Sequence, residues 1–136
     1  MNEATKKVVL LLDDNAAFRM AFREFLEDEG FTVVEAENID EALLLVQRYR
    51  NDLFLALVDL GLSNDPGGLG WGGLDFIRKV RSFLPQLNIW LMSGNMTKEI
   101  EKQLSNEGIS RFLLKPIRNL RNLVQEIHQL GITTGI

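Results

Sequence analysis

Short apolar runs alternate with longer stretches of helical periodicity along the whole chain. Five runs are each short enough to form a β-strand: Val8–Leu12, Thr32–Ala36, Leu53–Val58, Asn88–Met92 and Ser110–Leu114. The central runs are almost entirely apolar, which is typical of strands that helices cover on both faces. The alternation therefore predicts five βα units around a parallel sheet.

The stretches that follow these runs carry apolar residues at helical spacing. In chain order, helices are expected before Gly30, after Asn38, over Phe76–Leu84, over about Met96–Glu107 and over Leu120–Leu130. Gly30 and Gly108 occupy positions where a helix end favours a left-handed residue, and Pro85 stops the third helix. The fourth helix has the thinnest apolar stripe, so it is expected to be the most weakly held element.

A glycine-rich segment, Ser63–Gly73, interrupts the pattern after the third strand. It contains Pro66, several glycines and Trp71, and this composition predicts a flexible inserted loop. The 136 residues fit one domain, with a core over about residues 7–130. The few residues after Gly131 are too short for a second domain, so no output domain is expected.

The composition is that of an ordinary folded domain, with 46% hydrophobic and 25% charged residues. A formal net charge of -4 and a pI near 5.0 argue against direct nucleic-acid binding, which normally requires a basic surface. The absence of cysteine excludes disulfides and thiolate chemistry. The chain has no membrane-length apolar run and no signal-peptide core, so a cytoplasmic location without membrane association is expected.

Polar side chains follow four of the five predicted strands. Asp13 and Asp14 follow the first strand, Asp59 the third, Ser93 the fourth and Lys115 the fifth. Each residue alone has an ordinary explanation, such as a helix cap or a solvated surface group. Because parallel α/β sheets bind ligands beyond the carboxyl ends of their strands, these positions together indicate a functional site.

Three carboxylates gathered at one edge would repel each other unless a cation shared the site. Mg²⁺ is the natural candidate, because it prefers oxygen ligands and leaves room for a phosphoryl oxygen, and Ca²⁺ would fit the same donor type. If Asp59 carried a phosphoryl group, the metal, the Lys115 ammonium and the Ser93 hydroxyl could together neutralise its oxygens.

Four motifs resemble those of the response-regulator receiver domains, the CheY-like family. They are Leu-Asp-Asp-Asn at 12–15, Val-Asp-Leu at 58–60, Met-Ser-Gly at 92–94 and Leu-Lys-Pro at 114–116. The motifs occur in the family's order, and the resemblance extends from Lys7 to about Leu130. It implies a (βα)5 flavodoxin-like α/β fold, a three-layer α/β/α sandwich with the strand order 2-1-3-4-5.

The resemblance also implies a two-component or phosphorelay function, in which Asp59 accepts a phosphoryl group from a histidine kinase or a phosphotransfer protein. The implied cofactor is Mg²⁺, or Mn²⁺ in its place. Lys115 would form an ion pair with the phosphoryl group, and the Ser93 hydroxyl would hydrogen-bond it. The implied metal ligands are Asp14, Asp13 mainly through water, Asp59 and the backbone carbonyl of Gly61.

A conformational switch is implied by the same resemblance. Ser93 would be drawn toward the phosphoryl group, and Phe112 would change rotamer in response. The Lys115–Pro116 peptide bond would be cis. The signal would reach a downstream effector protein or a fused output domain through the face formed by the fourth helix, the fifth strand and the fifth helix. Such a chain is a signalling phosphoacceptor and not an enzyme that turns over a separate substrate.

The chain departs from the family at the inserted loop. Where the family has a proline after the acceptor, this chain has Ser63, and the glycine that opens the third helix comes later, at Gly73. We hypothesise that the longer loop flanks the site and alters partner choice or phosphate lifetime. Trp71 is expected either to anchor a partner or to fold back on the domain. Trp90 is expected to pack in the core, and His128 to be solvated or to pack.

Three other functions compete with this interpretation. A receiver-like docking module that works without phosphorylation would be expected to have lost part of the acidic, hydroxyl and lysine set. An aspartate-nucleophile phosphohydrolase would need a second aspartate at the position of Gly61. A dinucleotide-binding protein would need a glycine fingerprint where this chain has Asp13, Asp14 and Asn15. We therefore expect a receiver domain, with the docking module as the alternative.

Overall fold

The computed structural model describes residues 8–61, 72–95 and 97–134. Strands and helices alternate along the chain, which confirms the predicted βα units. The strands are β1 (Val8–Leu12), β2 (Thr32–Ala36), β3 (Leu53–Asp59), β4 (Asn88–Ser93) and β5 (Arg111–Leu114). The helices are α1 (Ala16–Asp28), α2 (Ile39–Arg48), α3 (Gly72–Phe83), α4 (Lys98–Ser105) and α5 (Leu120–Thr134).

The strands form one parallel sheet in the order β2-β1-β3-β4-β5. This order confirms the one that the family resemblance implied. The chain winds outward from β1 to β2 and then crosses back to β3, so the winding direction reverses between β1 and β3. In such sheets the reversal opens a crevice at the carboxyl ends of the two strands.

Both faces of the sheet are buried. Successive residues of β1 point to opposite faces, as the pleat of a strand requires. Leu10 and Leu12 belong to a core cluster with buried residues of α2, α3 and α4, whereas Val9 and Leu11 belong to a cluster with buried residues of α1 and α5. The molecule is therefore a three-layer α/β/α sandwich, as expected. None of the helices in the described part of the chain is long and apolar enough to cross a membrane.

Asparagine side chains define the starts of the first two helices. Asn15 accepts a hydrogen bond from the backbone N–H of Phe18, and Asn38 accepts one from the backbone N–H of Glu41. The chain leaves α1 through Gly30, whose φ of 96° lies in the left-handed region that favours glycine. These contacts explain why α2 starts after Asn38 and α1 ends before Gly30, as the sequence signals indicated.

The predicted boundaries of three helices were wrong. Helix α5 continues through Gly131 to Thr134 and does not end at the predicted Leu130. Helix α3 begins at Gly72, so Gly72 and Gly73 belong to the helix and not to the predicted loop. Helix α4 is shorter than the predicted Met96–Glu107, because it begins after its cap, Thr97, and ends at Ser105. The remainder of the predicted loop, including Trp71, lies outside the described residues.

The C-terminal end of α4 is tied to α3 by two arginines. Arg78 donates from Nε and Nη2 to the Glu107 carboxylate, at 3.4 and 3.1 Å. Arg81 donates to the backbone carbonyls of Leu87, which precedes β4, and of Gly108, which follows α4. Within α4 the buried residue is Leu104, close to the same end. The two arginines therefore hold the chain at the C-terminal end of α4, while the partly buried Ile100 packs against the core nearer the start of the helix.

An arginine on α1 links the end of β1 to β2. Arg19 donates from Nη1 to the backbone carbonyl of Asp13 at 2.6 Å and from Nε to Glu35 on β2 at 3.1 Å. Arg23, one turn further along α1, donates to Glu35 at 2.7 Å. The hydrogen bond from Arg23, supported by that from Arg19, holds the pKa of the Glu35 carboxyl below its ordinary value.

Replacing Glu35 with glutamine should lower the free energy of unfolding at neutral pH by about 0.5 to 1 kcal/mol, because both arginines lose their charged partner. The folded-state pKa of Glu35 is lowered, so its contribution exists above the unfolded-state pKa of about 4.3 and disappears as pH falls through the folded-state value. The stability difference between wild type and E35Q should therefore shrink below about pH 4. Urea titrations of both proteins across this pH range measure it.

The exposed Glu24 on α1, the helix that carries both arginines, provides the matched control. E24Q removes a negative charge from α1 without touching the contacts of Arg19 and Arg23 with Glu35 on β2, so it should have little effect at any pH in this range. A stability difference for E35Q that stays constant into the acid range would contradict the role given to Glu35.

Candidate functional site

The ends of four strands bring polar residues to one edge of the sheet. The strand register aligns Asp59 at the end of β3 with β4, and Ser93 at the end of β4 with the last residue of β5. Asp13 and Lys115 follow directly after β1 and β5. The structure thus brings the sequence-predicted residues to the same edge, where the sheet topology opens its crevice.

Asp13, Asp14 and Asp59 form an acidic cluster at this edge. Each offers one carboxylate oxygen to a group whose members all lie within 4.8 Å of one another. Asp13 is fully buried, Asp59 is 7% exposed and Asp14 is half-buried. Carboxylates this close and this poorly hydrated repel each other unless positive charge compensates them.

Lys115 supplies positive charge to the cluster. Its Nζ lies 2.7 Å from Oδ2 of Asp13 and 4.0 Å from Oδ2 of Asp59. The other carboxylate oxygen of Asp13 accepts a hydrogen bond from the backbone N–H of Asn15 at 2.9 Å. Both oxygens of this fully buried acid therefore have partners, which offsets the cost of burying its charge. The peptide bond between Lys115 and Pro116 is cis.

The pKa of the Asp59 carboxyl is raised above its ordinary value. Burial is the main cause, and the negative charge of Asp13 adds to it. Lys115 and the backbone N–H of Gly61, which donates to Oδ1 of Asp59 at 3.2 Å, act in the opposite direction. Further positive charge beside Asp59 would favour its ionised form, which is the nucleophilic one.

Ser93 lies between the acidic cluster and the connection to α4. It is 9% exposed, and its Oγ accepts a hydrogen bond from the backbone N–H of Asn95 at 3.1 Å. Its backbone carbonyl accepts a hydrogen bond from the backbone N–H of Lys115 at 2.8 Å. A change in the partner of the Ser93 hydroxyl would therefore act directly on the β4–α4 connection.

Gly61 and Phe112 occupy the outer parts of the predicted site. Gly61 is exposed and follows Asp59 by two residues, next to the acidic cluster. Phe112 lies on β5, is half-buried and packs against the core cluster that α3 and α4 share. Its ring is thus on the face of the sheet that α4 covers.

Three residues at the start of α1 contact the site, and the sequence analysis assigned none of them a contact there. Helical spacing marks Phe18 only as an apolar residue of the first helix, yet its ring centroid lies 4.3 Å from Nζ of Lys115. Arg19 binds the carbonyl of Asp13, and Asn15 binds its carboxylate. The helix-capping signal at Asn15 could have indicated that this turn packs beside the acids, but nothing in the sequence distinguishes Arg19 from a surface arginine.

The residues expected to lie away from the chemistry do so. Trp90 is buried in the core cluster that α1 and α5 share. On α5, His128 lies with its Nε2 3.7 Å from Glu29 and its ring 4.5 Å from that of Phe31.

The acidic cluster is suited to a hard divalent cation. Carboxylate oxygens are the ligands that such ions prefer, and three of them are close enough here to share one ion. The carboxylates are half-buried or buried, so a bound ion would compensate a repulsion that water does not screen. The cluster could therefore hold a metal ion.

Known proteins share this sequence pattern. The sequence model of the family described as "Response regulator receiver domain" matches residues 9–128. The two-component response regulator PhoP of Pseudomonas aeruginosa is 30% identical over 112 residues, which are 81% of this chain and 45% of PhoP. The match covers as little as 22% of other curated relatives, so the chain spans less than half the length of these proteins.

Solved structures share the fold. A response regulator receiver protein from Pseudomonas putida has a TM-score of 0.78 and 30% identity, over 93% of this chain and 99% of that one. A response regulator protein from Burkholderia pseudomallei, solved with a phosphorylated aspartic acid, a calcium ion and citrate, has a TM-score of 0.73 and 28% identity, over 90% and 71%. Family match, sheet order and acidic edge agree: the chain belongs to the response regulator receiver domain family.

Proposed function

We propose that this chain is a phosphoacceptor of a two-component or phosphorelay system, and that Asp59 takes up the phosphoryl group. The proposal is carried by the surroundings of Asp59. This buried carboxylate lies at a strand end beside two further acids, with the Lys115 ammonium 4.0 Å away. A nucleophile is thereby held among groups that can bind a metal ion on one side and phosphoryl oxygens on the other.

The donor is a phosphohistidine of a histidine kinase or of a phosphotransfer protein. One oxygen of the Asp59 carboxylate attacks the phosphorus atom, and an O–P bond forms as the P–N bond to the donor imidazole breaks. The electron pair of that bond goes to the imidazole nitrogen, which takes a proton from water. The product is an acyl phosphate on Asp59, and its hydrolysis later restores the carboxylate.

The residues around Asp59 bind and neutralise the transferred group. Lys115 contacts the phosphoryl oxygens, because its ammonium already faces Asp59. Asp14, Asp59 and the backbone carbonyl of Gly61 would hold Mg²⁺, and Asp13, whose two oxygens also accept hydrogen bonds, would contribute mainly through water. When bound, Mg²⁺ supplies positive charge that offsets both the repulsion among the acids and the charge of the phosphoryl group.

The similar protein from Burkholderia pseudomallei supports this chemistry. It was solved with a phosphorylated aspartic acid and a calcium ion. Calcium takes oxygen ligands, as magnesium does. An acyl phosphate on aspartate is therefore compatible with the fold that the two chains share.

Phosphorylation is proposed to act on partner binding through the face formed by α4, β5 and α5. The Ser93 hydroxyl, whose oxygen accepts from the Asn95 N–H in the resting protein, turns to donate to a phosphoryl oxygen, and the β4–α4 connection moves with it. The half-buried Phe112 ring then moves into the space that this shift of the connection opens beneath α4. The partner is an effector protein or an output domain in the cytoplasm. Docking without phosphorylation is not favoured, because the complete acidic, hydroxyl and lysine set is present.

Incubation with acetyl phosphate and Mg²⁺ should add one phosphoryl group, a mass increase of ~80 Da. The D59N variant should show no addition, because the amide is not a nucleophile, and chelation of Mg²⁺ should abolish the addition to wild type. Intact-protein mass spectrometry measures all three samples.

Thermal unfolding of D59N provides the folding control. Removing one of the mutually repelling carboxylates should leave the variant at least as stable as wild type. Phosphorylation of correctly folded D59N at another residue, or no phosphorylation of wild type, would reject Asp59 as the acceptor.

The S93A variant should be phosphorylated on Asp59, but its conformational response to phosphorylation should be smaller than that of wild type. Loss of one hydrogen bond, about 1 kcal/mol, shifts the switch about fivefold toward its resting form. NMR chemical-shift changes of the Asn95 amide and the Phe112 ring on phosphorylation should be correspondingly smaller. S82A, on the exposed side of α3, is the matched serine control and should respond as wild type does. A full response in S93A would exclude the proposed role of its hydroxyl.

A further inference from the structure

Phe18 contacts the side chain on which the proposed chemistry depends most. Nζ of Lys115 lies 4.3 Å from the centroid of the Phe18 ring, within the range of a cation–π interaction. The same ammonium lies 2.7 Å from Asp13 and 4.0 Å from Asp59. The cation is thus held among two carboxylates and one aromatic ring.

The Phe18 ring is supported by neighbouring residues of α1. The backbone N–H of Phe18 donates to the capping side chain of Asn15 at 3.0 Å. The ring stacks on that of Phe22, with centroids 5.3 Å apart and planes inclined by 18°. Phe22 is 4% exposed and belongs to the hydrophobic core. Helix α1 therefore presents the aromatic ring to Lys115 as a preformed surface.

A lysine side chain benefits from such a surface because its four-carbon stem is flexible and its ammonium is a compact point charge. Asp13 alone would hold the ammonium at one carboxylate. The ring attracts a cation through its quadrupole and carries no net charge. It can therefore hold Lys115 without competing with phosphoryl oxygens as another anion would.

We propose that Phe18 is a positioning residue for the phosphoryl-binding lysine. Its ring keeps the Lys115 ammonium beside Asp59 in the resting protein and in place for the incoming phosphoryl oxygens. This inference rests on the proposed function, in which Lys115 contacts the phosphoryl group. It assigns to α1 a part in a site whose other members come from the strand ends.

The competing explanation is that Phe18 only fills space, since it also packs against the core cluster of α1 and α5. The two explanations respond differently to substitution. Packing depends on the size and shape of the side chain, whereas attraction of a cation depends on the electron density of the ring. Leucine keeps an apolar side chain but has no ring face. Tryptophan has a ring face that attracts a cation more strongly than that of phenylalanine.

The test compares F18L and F18W with F25L, a matched control on the same helix. Phe25 is half-buried and packs against the same core cluster. NMR signals of the Lys115 ε-methylene group should be shifted upfield by the ring in wild type, F18W and F25L, and should move toward those of the exposed Lys98 in F18L. Phosphorylation by acetyl phosphate and Mg²⁺ should be about three- to tenfold slower in F18L and close to wild type in the other two.

Unchanged Lys115 signals and an unchanged rate in F18L would overturn the inference. Equal slowing in F18L and F25L would also overturn it, because it would indicate a general loss of packing. Failure of wild type to be phosphorylated would reject the proposed function and, with it, the role of Phe18. The Lys115 signals are measured without a phosphoryl donor. They therefore test the contact between Phe18 and Lys115 even if the wild-type protein is not phosphorylated.

If F18L does not fold, phenylalanines with increasing ring fluorination can replace Phe18. Fluorination withdraws electron density from the ring face while the shape stays nearly constant. The phosphorylation rate should fall stepwise along the series. An equal rate throughout the series would overturn the inference.

Discussion

The ion pair between Lys115 and Asp13 is the contact on which the site depends. It joins the ends of β1 and β5, which β3 and β4 separate in the sheet. Because Asp13 is fully buried, its carboxylate needs a permanent cation, and breaking such a pair from one side costs about 3–5 kcal/mol. The same ammonium faces Asp59. The Lys115 ammonium that compensates the buried Asp13 is thus also the positive charge beside Asp59.

Burial of both sheet faces determines where this chemistry can take place. Helices cover the strands on each side, so polar groups leave the apolar interior at the strand ends. Among the described residues, the buried polar or charged ones are Asp13, Asp59 and Ser93, all at the same edge. No buried side-chain polar atom in this part of the chain lacks a hydrogen-bond partner. The site is therefore a satisfied polar network within an otherwise apolar core.

The sequence predicted the strands, the start of α2 after Asn38 and the strand-end residues because each depends on local pattern, whereas the strand order came from the family resemblance. Glycine-rich composition wrongly assigned Gly72 and Gly73 to a loop. Glycine disfavours a helix interior by only about 1 kcal/mol, and packing of the buried Phe76 and Ile77 on the same helix outweighs this. The contact of Phe18 with Lys115 was not predictable, because helical spacing does not distinguish a ring that faces an ammonium from one that faces the core.

The arginines of α3 fasten the chain at the C-terminal end of α4. Arg78 and Arg81 hold Glu107 and Gly108, which follow the helix, whereas the other end of α4 joins the connection that begins at Ser93. A body fixed at one end pivots about that end, and displacement grows with distance from the pivot. The helix is about 12 Å long, so a small movement of Ser93 would tilt α4 and carry its N-terminal turn furthest. Such a tilt would change the surface that α4 presents to solvent while the sheet stayed in place.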